Sequence, residues 1–210
     1  LGIIKKCTQV YLESYTIEFP YNIKELEKTI KKRIAIADRN LMENKAETII
    51  ENAKKQDIAI LVYGDPLTAT THADFLLRAR KAKVKTRILH NSSVISAVAD
   101  TGLQLYKFGK TASIPKWQQN FKPESFYDIF KENQAINAHT LFLIDIGLEV
   151  SEALEYLKEI AKRRQEDIQQ FTIIICSRLG TEKAKIVKGK IDVLMKKNFS
   201  KPACIIIPSA

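Results

Sequence analysis

Apolar and polar positions alternate along the chain in blocks that predict strands separated by helices. Gln9 to Ser14 (QVYLES) predicts a strand. Asn22 is placed to cap a helix running to Arg33, with Ile23, Leu26 and Ile30 on one face. A short strand follows at Ala35–Ala37, and apolar residues at Leu41, Ala46, Ile49, Ile50 and Ala53 predict a helix over 41–55. The run Ile58-Ala59-Ile60-Leu61-Val62-Tyr63 is continuous, apolar and β-branched. It predicts a central strand of a parallel sheet, buried on both faces. Gly64 and Pro66 end it, leaving Asp65 at its carboxyl end before a Thr-rich turn, a helix over about 70–81 and a strand over 84–89.

The second half repeats the alternation. A helix is expected from Asn91 or Ser92 to Gly102, with Val94, Ile95, Val98 and Ala99 on its apolar face. A strand over 104–111 and an extended, Pro-containing loop over 114–125 come next. A helix over about 124–134, a strand over 140–146 and a helix over 151–164 capped by Ser151 follow. Strands over 171–176 and 184–187, a short helix over 190–197 and a last strand over 204–207 complete the pattern. The expectation is an α/β protein of two domains, 1–91 and 92–210, each with a sheet wrapped by helices and with a ligand cleft between them. Ligands of such sheets bind beyond the carboxyl ends of the strands.

Composition narrows the class. No apolar run approaches the roughly 20 residues that span a bilayer, and the first residues, LGIIKKC, lack the features of a signal peptide. The chain does not begin with Met and its opening resembles the tail of an amphipathic helix, so the expectation is that it starts inside a domain. The three cysteines are widely separated, which fits buried reduced thiols and excludes a CxxC metal or redox pair. A cytoplasmic location is the corresponding expectation. The net charge of +10 favours an acidic partner, either nucleic acid or protein.

Candidate chemistry collects where apolar strands give way to short polar or glycine turns. These are Tyr63-Gly64-Asp65-Pro66, Ile144-Asp145-Ile146 and Cys176-Ser177-Arg178-Leu179-Gly180, with Leu89-His90-Asn91-Ser92-Ser93 entering a helix. One carboxylate, backbone groups and apolar side chains suit a small cationic or zwitterionic cofactor with an aromatic ring. Each residue also has a plain role: Asp65 as a turn residue, Ser92 and Ser93 as caps, and His72, His90 and His139 as isolated surface or packing residues. No metal-ligand spacing, nucleophile elbow or phosphate-binding glycine loop is present. Spacing alone gives a two-lobed α/β protein and no reaction.

Whole motifs say more. GDPLTATTH (64–72), HNSSV (90–94), TGLQLYKFGK (101–110) and HTLFLIDI (139–146) resemble those of the diphthine synthases, a branch of the tetrapyrrole-methylase-like, class III methyltransferases. The GDP turn is shared across the wider superfamily, whereas ATTH and GLxxYKFG point to this branch. The resemblance covers nearly the whole chain and weakens after Glu149.

It implies two α/β domains, a homodimer, and S-adenosylmethionine as methyl donor. The implied reaction methylates the amino group of the 3-amino-3-carboxypropyl-histidine of translation elongation factor two, giving diphthine. Carried over by motif, cofactor contacts fall on Asp65, Thr68, Ser93, Val94, Ile144, Leu179 and Ala203. No metal and no catalytic side chain is implied. Relatives have a first strand and a glycine-rich loop before the point where this chain begins, continue past its last strand, and commonly carry His at the position of Ala203. The alternatives are a same-fold methyltransferase acting on rRNA or a tetrapyrrole, and a non-catalytic binding module.

Overall fold

The expected parallel sheet forms in the first half of the chain, with its strands in a different order of burial. The computed structural model describes residues 2–209. They divide into two units, one ending at Ser93 and the other starting at Val94.

In the first unit a short helix α1 (Gly2–Lys6) leads into strand β1 (Gln9–Glu13). Helix α2 (Ile23–Ile30), strand β2 (Ala35–Ala37), helix α3 (Ala46–Ala53), strand β3 (Ile58–Leu61) and helix α4 (His72–Lys81) follow. The strands are parallel in the order β2-β1-β3. The central strand is therefore β1. Its Val10 and Leu12 are buried while Tyr11 points to the opposite face, where it joins Ala37, Met42 and Ile49. Among the described residues the run beginning at Ile58 is paired on one side only, and β3 is half-buried along its length, not buried on both faces as its composition predicts.

Val84–Leu89 is a second correction. Val84, Thr86 and Ile88 are half-buried and Lys85, Arg87 and Leu89 exposed, the alternation of a strand. A ladder also needs a neighbouring backbone, and this segment pairs with none among the described residues.

Helix limits move for local reasons. Asn22 caps α2 as expected, its side chain accepting from Lys24 N at 2.9 Å. The helix stops at Ile30 because Lys31 turns left-handed (φ 56°). The helix expected over 41–55 splits into a wide turn at Asn40–Asn44, closed by Lys45 N to Asn40 O at 2.9 Å, followed by α3.

The second unit opens with one α-helical turn, α5 (Val94–Ala97), which tightens to a 3-10 turn through Thr101 and ends at Gly102 with φ 80°. Strand β4 (Ala112–Ile114), helix α6 (Ser125–Ala135), strand β5 (Thr140–Ile144), helix α7 (Val150–Arg163), strands β6 (Ile173–Ser177) and β7 (Lys185–Gly189), helix α8 (Ile191–Leu194) and strand β8 (Ala203–Ile207) follow. The sheet order is β4-β5-β8-β6-β7, with β4 and β5 parallel and β8 antiparallel to both its neighbours. Along β6 the side chains alternate. Ile173 and Ile175 join Phe126, Phe130, Phe142, Leu154 and Leu157 on one face, while Ile174 and Cys176 join Val98, Leu141, Cys204 and Ile206 on the other.

The segment over 104–111 is not a strand. Leu105–Lys107 is a 3-10 turn, and the ladder begins later, at β4, just past the expected strand and reaching only the first residue, Ile114, of the expected loop. The reason is a close approach. Asn133 of α6 is 1% exposed and spends its amide on Lys110 O at 2.8 Å and Thr140 Oγ1 at 3.1 Å, while its carbonyl accepts from Lys110 N at 2.9 Å. This fixes the backbone beside Gly109, where a Cβ would lie 2.1 Å from Asn133 Oδ1. Helix α7 is capped by Glu149, not Ser151, with Glu152 accepting from Glu149 N at 3.1 Å.

Gly109→Ala must displace a fully bonded side chain. It should destabilise the protein by about 2 kcal/mol or more, measured by urea unfolding. Gly2→Ala, where nothing stands within 4 Å of the added carbon, should not.

Candidate functional site

The turn after β3 is built around one carboxylate. Asp65 is 8% exposed and lies beyond the carboxyl end of the strand. Its Oδ1 accepts from Leu67 N at 2.9 Å and from Thr68 Oγ1 at 3.1 Å. Its Oδ2 accepts from Asn91 N at 3.2 Å and sits 2.8 Å from His90 Nδ1. The Leu67 amide, the His90 ring and the other donors hold the carboxyl down at about 2. Gly64 makes the approach possible, since its φ of 97° is open to glycine and costly for a side chain.

The other end of the turn is tied to one carbonyl. Pro66 O receives the Thr70 hydroxyl at 2.8 Å and the His72 Nδ1–H at 2.8 Å. Thr70 therefore braces the loop, and α4 begins at His72, two residues later than expected. Ala69 is held left-handed (φ 57°) between the two anchors.

A second buried acid closes the loop after β1. Glu13, 1% exposed, accepts from Tyr15 N at 2.5 Å, Thr16 N at 2.6 Å and Thr16 Oγ1 at 2.5 Å. Because β1 and β3 are parallel, Glu13 and Asp65 stand at the same carboxyl edge of the sheet.

In this first unit Asp65 and Thr68 touch each other, and half-buried Ser93 ends the segment that brings His90 and Asn91 to Asp65. In the second unit the remaining candidates fall into one neighbourhood. Leu143 pairs with Cys204, so Ile144, the last residue of β5, comes level with Ala203, which opens β8; Ala203 pairs in turn with Ser177, the last residue of β6. Leu179 lies two residues beyond. Its loop is tied to the start of β8 by Arg178 N to Pro202 O at 2.8 Å and Arg178 Nε to Lys201 O at 3.0 Å. Val94 and Leu179 pack on one face of this sheet, Ile144 and Ala203 on the other, and all four are half-buried.

The histidines differ from one another. His90 is not isolated: it is a partner of Asp65. His139, 4% exposed, accepts from Ser209 N at 2.9 Å through Nδ1, and burial followed by the charge of Lys107 lowers its pKa, so it serves as a neutral packing residue. Taken singly, His90, Asn91 and Glu13 carry no sequence signal. For His90 and Asn91 the usable sign was their place inside the HNSSV motif. Among the described residues no group of three or more His, Cys, Asp or Glu side chains is arranged to hold a metal ion, and no helix is long and apolar enough to cross a membrane.

The profile of the family described as Tetrapyrrole (Corrin/Porphyrin) Methylases matches residues 2–194. The chain belongs to the tetrapyrrole methylase family. Within that family it is similar to a protein named diphthine synthase from Methanococcus vannielii, 40% identical over 213 residues that cover 97% of this chain and 84% of the relative. A protein named diphthine methyl ester synthase from Schizosaccharomyces pombe is 36% identical over 225 residues, covering 96% of this chain and 80% of the relative. A solved structure titled as diphthine synthase superposes with a TM-score of 0.87 at 31% identity, covering 99% of this chain and 82% of that one. The α/β fold with two units is thus the tetrapyrrole methylase fold.

The folded carboxyl of Asp65 titrates at about 2, against an ordinary value of 3.8. A depressed carboxyl contributes stability that is complete above the unfolded value and lost as pH falls to the folded one. The difference in melting temperature between the natural protein and Asp65→Asn should be constant above about pH 5 and shrink between about pH 4 and pH 2. A difference that instead grows on acidification would remove Asp65 from the centre of this loop.

Proposed function

We propose that the protein is a methyltransferase of the diphthine synthase type. It would use S-adenosylmethionine to methylate the amino group of a 3-amino-3-carboxypropyl-histidine on translation elongation factor two. The observation that carries this reading is the similarity to diphthine synthases at 36–40% identity over at least 96% of the chain. We further propose that it works in the cytoplasm as a homodimer.

The residues present fit the donor. Ile144 and Ala203 at strand ends, Leu179 just beyond β6 and Val94 at the start of α5 offer half-buried apolar surface of the kind that suits an adenosine and a thioether chain. Asp65 fits in a less direct way. A carboxylate has about four acceptor positions, and Leu67, Thr68, His90 and Asn91 take them all. Its role is to fix the backbone of 64–68 and 90–93, so that Thr68 and Ser93 meet the donor on rigid loops.

When bound, S-adenosylmethionine supplies an electrophilic methyl group on a sulfonium sulfur. The acceptor nitrogen must enter as the free amine, in line with the breaking carbon–sulfur bond. Holding that line is the contribution expected of the chain, and positioning of this kind supplies much of a barrier's reduction without a nucleophile or metal. The electron pair of the broken bond would stay on sulfur as a neutral thioether, and the nitrogen must shed a proton before it can accept any further methyl group. The +10 charge favours approach to an acidic protein surface.

Calorimetry with S-adenosylmethionine should show binding, and incubation with the aminocarboxypropyl-modified factor should add methyl masses to it. Asp65→Ala should weaken donor binding about tenfold or more, a loss of about 1.4 kcal/mol, while His72→Ala should change it little. Methyl groups appearing on rRNA and not on the factor would replace this substrate with the rival one.

A further inference from the structure

Strand β4 leaves the second sheet at the same edge as β5, because the two are parallel with Ile114 level with Ile144. Ile144 is one of the residues proposed to hold the methyl donor, so the segment after β4 starts at the rim of that neighbourhood. Its base is tied to the turn after β5 at three points. Asp145 N donates to Ile114 O at 3.1 Å, Lys116 N to Asp145 Oδ2 at 3.2 Å and Lys116 Nζ to Gly147 O at 2.8 Å. Next, Trp117 lies flat on Tyr156 of α7, with ring centroids 4.0 Å apart and planes 9° from parallel, and its Nε1 donates to Pro123 O at 3.1 Å. Beyond the tryptophan the chain turns back through Gln119 and Asn120. Gln118 N to Phe121 O at 3.0 Å and Phe121 N to Gln118 O at 3.1 Å close the turn. The result is a small hairpin with a two-residue tip, braced at its base and its middle.

What this hairpin presents is apolar and cationic. Phe121 is 59% exposed, and Ile146, between the two anchors at the base, is 37% exposed. No acid occurs from 111 to 123, while Lys116 and Lys122 flank the tip. Both cations are held by neutral partners: Lys116 by the Gly147 carbonyl, and Lys122 by the Trp117 ring, with Nζ 5.2 Å from its centroid. Among the described residues neither forms an ion pair, whereas Arg163 at the end of α7 is paired with Glu124 at 2.7 Å. Asp145, the acid at the base, spends its oxygens on Lys116 N and Ile146 N. An ammonium group has three donors, so both lysines are held in place with donors and charge to spare. A side chain on a loop already fixed loses little freedom on association, and exposed aromatic residues are the usual anchors of interfaces.

From these observations we infer that the hairpin over 117–122 is a docking element for the protein that carries the acceptor nitrogen. Phe121 enters an apolar hollow of that protein, and Lys116 and Lys122 meet carboxylates around it. The inference rests on the reading of the chain as a methyltransferase acting on an acidic protein. Two observations select this occupant. The hairpin stands at the rim of the proposed donor contacts, where the acceptor must arrive. Phe121 and Ile146 together expose roughly 200 Å², far below the about 800 Å² that each partner of a stable dimer buries. A contact of that size suits a partner that leaves after each turnover, and not a second copy of this chain.

Methylation of the aminocarboxypropyl-modified elongation factor is followed at saturating S-adenosylmethionine with the natural protein, Phe121→Ala, Phe121→Leu and Lys122→Gln, and binding of the factor is measured directly by interferometry. Phe121→Ala should raise both KM and Kd for the factor about tenfold or more. Its kcat, its donor affinity by calorimetry and its urea unfolding should be unchanged, and Phe121→Leu should recover most of the loss. Lys122→Gln should weaken binding at low salt and flatten its salt dependence. If the natural protein methylates the factor and Phe121→Ala does so with an unchanged KM, the docking assignment falls while the proposed reaction stands. If the natural protein neither binds nor methylates the factor, the proposed reaction falls and the assignment with it. Sedimentation showing a dimer lost in Phe121→Ala would give the hairpin to a second copy, and a loss confined to rRNA binding would give it to nucleic acid; either result overturns the assignment.

Discussion

The carboxylate of Asp65 is the constraint from which the first unit's carboxyl edge is built. Two of its donors come from the turn that follows β3, and two come from the segment that follows residues 84–89. One ion thus joins two loops separated by more than twenty residues. Four donors around one carboxylate stabilise its charged form strongly, and the cost of protonating it rises in proportion. The same saturation limits what Asp65 can do for a ligand. It shapes loops and leaves recognition to the atoms those loops present.

The fold was legible where the pattern is local. The alternating burial over Gln9–Leu12 of β1, the continuous burial of β6, the Asn22 cap and the apolar stripe of α7 all follow from neighbouring residues. It was illegible where pairing decides. Ile58–Leu61 has the composition of a central strand and lies at the edge of the described sheet, because β1 occupies the centre. Val84–Leu89 alternates as a strand does and pairs with nothing described. Composition records what a residue tolerates on its two faces, and hydrogen-bonded neighbours along the sheet are a property of the whole unit. Gly109 shows the reverse. The sequence marks it only as the end of the GLxxYKFG motif, and the physical reason for a glycine there becomes visible with Asn133 packed against it.

The candidate site was legible as motifs and not as single residues. Asp65 and Thr68 share a hydrogen bond, and Ile144, Leu179 and Ala203 gather at one end of the second sheet because β8 runs antiparallel between β5 and β6. That gathering depends on register, which sequence spacing does not carry across 60 residues. His90 looked solitary because its partner lies 25 positions away.

The loop from Gly64 to His72 is chemically asymmetric. At its start every acceptor of Asp65 is satisfied, and the stability this carboxylate contributes is lost only as pH falls from about 4 toward about 2. At its end the His72 ring is fixed through one nitrogen and unsatisfied at the other. A buried acceptor left bare costs the fold free energy, which the hydrogen bond at the other ring nitrogen and the packing of the ring must offset. The strained left-handed Ala69 lies between the two ends, held by the anchors on either side. The link from Thr71 to Tyr15 ties this end of the loop to the one that Glu13 closes after β1, so the two loops at the carboxyl edge of the sheet are held to each other as well as within themselves.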